Sequence, residues 1–120
     1  MPSNAGAVTI NPVATYTVAA ATTTGDAANG ATATITADKD MAAAGKIVTY
    51  TIKITHVATA DDTLTVAEVG GETLGTGTDN GAKLTWASAV LTVDTTAEVD
   101  DTTTFTITAG ATNTPSFTWS

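Results

Sequence analysis

From residue 46 to residue 55 the chain reads KIVTYTIKIT, and this alternation constrains the fold more than any other feature. Successive side chains of an extended segment point to opposite faces, so Val48, Tyr50, Ile52 and Ile54 share one side while Thr49, Thr51, Lys53 and Thr55 share the other. That is the pattern of a half-buried strand. It recurs in ATATITA (31–37), TLTVAEV (63–69), KLTWA (83–87), VLTVD (90–94) and TFTITA (103–108), continuing to Ala109, and more loosely in VATYTV (13–18) and SFTW (116–119). Composition closes the helical alternative. Threonine occurs 30 times, and its branched Cβ suits a pleated strand. The good helix formers are scarce, with no Arg or Gln, three Glu, four Lys and four Leu.

Seven or eight short strands, each with one polar and one apolar face, predict two packed antiparallel sheets with their threonine faces in water. A length of 120 residues supports one core, divided here into an N-terminal arm (1–12) and a single all-β sandwich domain (13–120). The interior is expected to be thin, because 23 alanines supply much of the apolar content against two each of Trp, Tyr and Phe. GDAANG (25–30), ADD (60–62) and GTGTDNG (75–81) carry the turn residues, and Asn80-Gly81 is the best candidate for a two-residue hairpin. DKDMAAAG (38–45) predicts one helical turn, capped by Asp38 and ended by Gly45. A weak echo between residues 35–52 and 91–107 sets Tyr50 and Phe105 at comparable core positions.

The charge excludes two classes of partner. A net charge of −8 without arginine offers no footprint for nucleic-acid phosphates and argues against an anionic membrane. Cysteine is absent, so disulfides and thiolate metal sites are not available. The opening MPSNAGAVTINP has neither a basic n-region nor a signal-length apolar run. The expectation is a chain that works where it is released, as a virion protein does after lysis, or a piece of a longer exported protein.

The run from about 31 to 109 resembles the immunoglobulin-like conserved repeat of bacterial and archaeal surface proteins. AGKIVTYTIKIT (44–55) matches that family's Gly-initiated strand, Trp86 its tryptophan, and TTTFTITA (102–109) its last strand. The chain departs from the pattern at His56, where an Asn commonly stands, in lacking an Asp-x-x-Pro turn, and at Asp100-Asp101, where a Gly is expected. The resemblance implies an immunoglobulin-like antiparallel β-sandwich in a surface or scaffold setting, without catalysis. It is similar also to the lone immunoglobulin-like domains that phage virions display as capsid decorations and tail appendages.

No catalytic constellation emerges. His56, the sole histidine, would need a nucleophile, and Ser3, Ser88, Ser116 and Ser120 lack a nucleophile-elbow context. Asp38/Asp40, Asp61/Asp62 and Asp100/Asp101 read as solvated turn acids, and none sits in a D-x-[DN]-x-[DN]-G calcium loop. GGETLGTGTDNG (70–81) lacks the Lys-Ser/Thr ending of a phosphate loop and reads as a flexible hairpin loop. An isopeptide link from Lys46 or Lys53 to Asn113, with Glu68 as the buried acid, has the residue types but no spacing that demands it. Tyr16, Trp86 and Trp119 are the rings available to a carbohydrate platform, with Trp86 assigned to the core. Neither cofactor nor metal is expected.

The termini supply the interface candidates: Val8 and Ile10 in the apolar stretch before Pro12, and Phe117 and Trp119 at the C-terminus, whose rings in a free monomer complete an edge strand and otherwise dock on a neighbour. The functional expectation is a non-enzymatic virion decoration or accessory protein bound to capsid or tail subunits, with self-association by strand addition as a further contact. The alternative is an immunoglobulin-like module of a cell-surface adhesin or a filament-forming subunit, placed outside the cell.

Overall fold

The computed structural model describes residues 15–17, 21–24, 30–39, 41–110 and 115–120. Among these described residues eleven strands follow in chain order: β1 (Thr15–Thr17), β2 (Ala21–Thr24), β3 (Thr32–Ala37), β4 (Met41–Ala43), β5 (Ile47–His56), β6 (Asp62–Ala67), β7 (Thr73–Thr78), β8 (Leu84–Ala87), β9 (Val90–Val93), β10 (Thr102–Thr108) and β11 (Ser116–Trp119). Among the described residues no helix is present. A five-stranded antiparallel sheet in the order β2-β3-β5-β10-β7 and a four-stranded antiparallel sheet in the order β11-β6-β9-β8 form an all-β sandwich, with β1 and β4 as a separate two-stranded ribbon.

The alternation read from the sequence decides what faces the core. Val48, Tyr50, Ile52 and Ile54 of β5 are fully buried, as are Phe105 and Ile107 of β10, while Leu64, Leu84 and Leu91 approach from the other sheet. Tyr50 and Phe105 are direct cross-strand partners, so the echo in the sequence marks two neighbours in one layer. Aromatic contacts extend from this pair in both directions. Trp86 lies against Phe105 with ring centroids 4.7 Å apart, and Phe117 lies against Tyr50 at 5.3 Å. A core of alanines and aliphatics thus has a line of four rings through its middle, where large rings contribute most of the volume.

From β5 to β11 every connection except β8–β9 crosses between sheets, which places β10 between β5 and β7 and β6 between β11 and β9. The order of immunoglobulin sandwiches, with the first, second, fifth and fourth strands in one sheet, is not reproduced strand for strand.

Three local expectations are corrected. Residues 41–43 form β4, paired with β1, instead of a helical turn, because cross-strand hydrogen bonds outweigh the modest helix preference of three alanines. Asp38 accordingly caps no helix: its N–H donates to Thr49 O and its carboxylate accepts from Thr49 N. Gly45, at φ +85°, closes the turn into β5. The 70–81 stretch is not a loop throughout, since Thr73–Thr78 forms β7 along β10. Asn80-Gly81 turns the corner from β7 to β8 between the sheets and does not close a two-residue hairpin.

The tight hairpin is instead Ser88-Ala89, enclosed by the Ala87–Val90 pair. Ser88 has φ +54°, as the first central residue of a type II′ turn requires, and glycine is the residue that adopts this conformation without strain. Ser88→Gly is therefore expected to raise stability by up to about 1 kcal/mol, after the greater unfolded-state entropy of glycine is subtracted from the relieved left-handed strain. Urea denaturation measures it; a loss of stability would contradict this account of the turn. Asp100 likewise takes φ +76°. Its N–H donates to Ile54 O, which holds the left-handed backbone in place before β10.

Candidate functional site

The residues singled out for chemistry are dispersed. His56 is exposed at the end of β5, opposite Thr32. Ser88 and Ser116 lie at the other end of the sandwich, the Ser120 hydroxyl is hydrogen-bonded to Thr63 Oγ1 at 2.5 Å, and Ser3 lies outside the described residues. Asp61 is exposed and accepts from Thr95 N at 3.2 Å, whereas Asp62 is 1% exposed and accepts from Thr63 N at 2.9 Å. Asp62 thus opens β6 with its side chain in the sandwich, while Asp61 stands in the connection before it. Asp38 is 3.5 Å from Lys39 Nζ, and Asp40 lies outside the described residues. Asp100 is 3.6 Å from Lys53 Nζ, and Asp101 is 3.7 Å from Lys83 Nζ while accepting from Glu98 N at 2.8 Å. These are solvent-facing pairs, each contributing about 0–1 kcal/mol. Among the described residues no three His, Asp or Glu side chains converge as a metal site would require.

One carboxylate overlooked in the sequence has a clear structural task. Glu72 is 1% exposed, and its two oxygens accept from Val69 N at 2.8 Å and Gly70 N at 2.7 Å. It closes the β6–β7 connection on itself, satisfying two backbone donors of a glycine-rich turn. Only the Gly-Gly-Glu string hinted at this, and an isolated Glu in a turn carries no burial signal.

Asp94 shows how the loop acids are held. The Thr96 hydroxyl at 2.7 Å, followed by the Thr96 N–H at 2.8 Å, pulls its carboxyl below the ordinary value of 3.8. A depressed carboxyl adds stability above its unfolded pKa and loses it as pH falls through the folded one. Thr96→Val, which keeps the N–H and removes the hydroxyl, is expected to move the Asp94 midpoint upward in an NMR titration. An unmoved midpoint would show that the hydroxyl is not the principal cause.

Of the terminal interface candidates, Val8 and Ile10 lie outside the described residues. Phe117 and Trp119 sit in β11, paired with Val66 and Leu64 of β6. Trp119 is 8% exposed and Phe117 packs against Tyr50, so both rings belong to the core's own packing. Trp86 is held in the same way, which leaves two of the three possible platform rings facing inward. Of the isopeptide candidates, Lys53 pairs with Asp100, Lys46 and Glu68 are exposed, and Asn113 lies outside the described residues.

What the fold does assemble is surface. On the outside of the larger sheet Thr36, Thr51, Thr104 and Thr78 form one cross-strand row, flanked by Thr49 with Thr106 and by Thr34 with Lys53. The smaller sheet carries Thr63, Thr92 and Thr85 in one row and Thr118, Thr65, Val90 and Ala87 in the next. Among the described strand residues Lys53 is the only Lys, Asp or Glu that faces outward; the exposed carboxylates are confined to connections. No family model, curated protein or solved structure matches the chain.

Proposed function

We propose that this is a non-enzymatic structural protein that lays a carboxylate-free sandwich face against a repeating protein lattice, as a decoration or accessory protein on the capsid or tail of a phage virion. The observation that carries the reading is the segregation of charge: threonine rows cover both outer faces, and the exposed carboxylates lie in the connections. Burying a carboxylate costs several kcal/mol unless it is paired, whereas a threonine presents a methyl group and one hydroxyl that a partner can satisfy. The centres of protein interfaces are depleted of charge for this reason. The acidic rim then discourages docking at the loops and keeps unbound copies apart. The expected setting is the virion surface, and the N-terminal Val8 and Ile10 supply an additional apolar arm contact.

The test places charge at the centre of each face separately. Thr51→Glu with Thr104→Glu marks the larger sheet, and Thr65→Glu with Thr92→Glu marks the smaller. Co-sedimentation with the parent particle is expected to fall at least roughly tenfold for one pair, the equivalent of 1.4 kcal/mol. Full binding by both variants would reject the face-docking mechanism.

A further inference from the structure

The corner between β7 and β8 does more than reverse the chain, because residues 79 and 80 occupy the outer edge of β8. Asn80 N donates to Leu84 O at 2.8 Å, and Asn80 O accepts from Leu84 N at 3.3 Å and Lys83 N at 3.2 Å. One step along, the Asp79 carboxylate accepts from Trp86 N at 2.7 Å. The outward-facing groups of Leu84 and the outward N–H of Trp86 are thereby satisfied within the chain. Unpaired edges of this kind otherwise recruit strands from other molecules.

The residue that performs this capping is followed by glycine. Gly81 is exposed at φ +59°, carries no Cβ to shield its nitrogen, and its N–H makes no hydrogen bond among the described residues. The Asn80 amide is restrained by one contact, Nδ2 donating to Thr102 O at 3.1 Å. One such bond is worth about 0.5–1.5 kcal/mol, a brake of roughly tenfold at most on any reaction that must break it.

We propose that Asn80 is a site of spontaneous covalent modification, converting through a cyclic imide to isoaspartate, and that the conversion uncaps the edge of β8. The Gly81 nitrogen, losing its proton to solvent base, attacks Cγ of Asn80; the new C–N bond closes a five-membered succinimide and the side-chain amide leaves as ammonia. Water then opens the ring. Attack at the side-chain carbonyl restores the normal backbone with Asp at position 80. Attack at the main-chain carbonyl leaves the backbone running through the former side chain and a free α-carboxylate at residue 80. In that second product the carbonyl that accepted from Lys83 and Leu84 is no longer part of the peptide link, and the added methylene shifts Gly81 away from the corner. The α-carboxylate, released from the turn and hydrated, swings away from Leu84 N, and the displaced segment withdraws Asp79 from Trp86.

The wild-type protein is incubated folded in warm, mildly alkaline buffer, sampled over time, and mapped by proteolysis with tandem mass spectrometry and isoaspartate-specific enzymatic methylation. Isoaspartate is expected at residue 80, slowed roughly tenfold in Gly81→Ala, the equivalent of 1.4 kcal/mol of barrier. It is expected to be absent in Asn80→Gln, which keeps an amide and needs no strained backbone. Hydrogen exchange at the Leu84 and Trp86 amides is expected to quicken roughly tenfold or more in the converted fraction, reporting the loss of about one hydrogen bond each. Asn29-Gly30, a second Asn-Gly pair, serves as the internal comparison. An unmodified residue 80 in a sample where Asn29 has converted overturns the assignment. Conversion at residue 80 with both amides still protected overturns the uncapping.

Discussion

Phe105→Ala is expected to remove about 3–5 kcal/mol of folding stability, the range observed for truncating a large buried aromatic. Phe105 is fully buried between Tyr50, its cross-strand partner, and Trp86, whose ring is 4.7 Å away, so the deletion breaks the aromatic line at its centre. The rigid rings on either side worsen the loss. Trp86 is pinned by its hydrogen bond to Thr103 and cannot swing into a void, so the cavity term adds to the transfer term. Domains of this size are stable by about 5–15 kcal/mol, so the variant would approach or pass its folding threshold. Thr104→Ala on the outer face is the control, with an expected change within about 0.5 kcal/mol. Comparable midpoints for the two variants in urea denaturation would mean that the ring line does not organise the core.

Gly77→Val is expected to cost about 3 kcal/mol, the upper part of the range for overfilling a packed interior. Gly77 lies opposite Phe105 in the β7–β10 ladder, and a Cβ built on it would overlap Cγ, Cδ2 and Cε2 of Trp86. The indole therefore rests directly on strand backbone. It is fixed there by Nε1 donating to Thr103 Oγ1 at 2.7 Å, and that hydroxyl in turn donates to Thr78 O. Backbone cannot yield as a flexible side chain would, so the ring has to leave and its hydrogen bond is lost with it. Trp86→Leu in the Gly77→Val background should recover part of the loss, a coupling of about 0.5–3 kcal/mol in a double-mutant cycle. Strict additivity would show that the two positions do not share this contact.

These two positions were unequally legible. Phe105 stands in TTTFTITA, where alternation alone assigns it to the core, and the same reasoning found β3, β5, β6, β8, β9, β10 and β11 to within two residues. Gly77 stands in GETLGTGT, where glycines interrupt the apolar pattern and predict a loop. The strand exists there because β10 offers a ladder and because Trp86 requires a neighbour without a side chain. Both causes lie far away in sequence. Residues 41–43 were misread for a related reason, since alanine prefers helix by only a fraction of a kcal/mol per residue and pairing with β1 overrides it. The hairpin at Ser88-Ala89 was hidden because its positive φ falls on serine, a residue that does not advertise it.

The candidate surface divides in the same way. That threonine faces water was readable from period two, since the strand pleat fixes which side chains share a face. Which threonines stand beside one another was not. Phe117 and Trp119 give the sharpest case: at a chain terminus their aromatic character left two readings, an edge strand or anchors on a neighbour, and only the pairing of β11 with β6 places them in an edge strand packed on the core.

The amino-acid sequence by itself determined the β character, the inward and outward sets along seven of the strands, and a lean interior of alanines and aliphatics, because these follow from local stereochemistry and the two-residue repeat of the extended chain. Tertiary structure alone decided the order of strands, the ring line through the core, the burial of Glu72 and the Gly77–Trp86 seat, because each depends on which distant segment arrives as a neighbour. That choice is made by shape complementarity between whole sheets, which no window of ten residues contains.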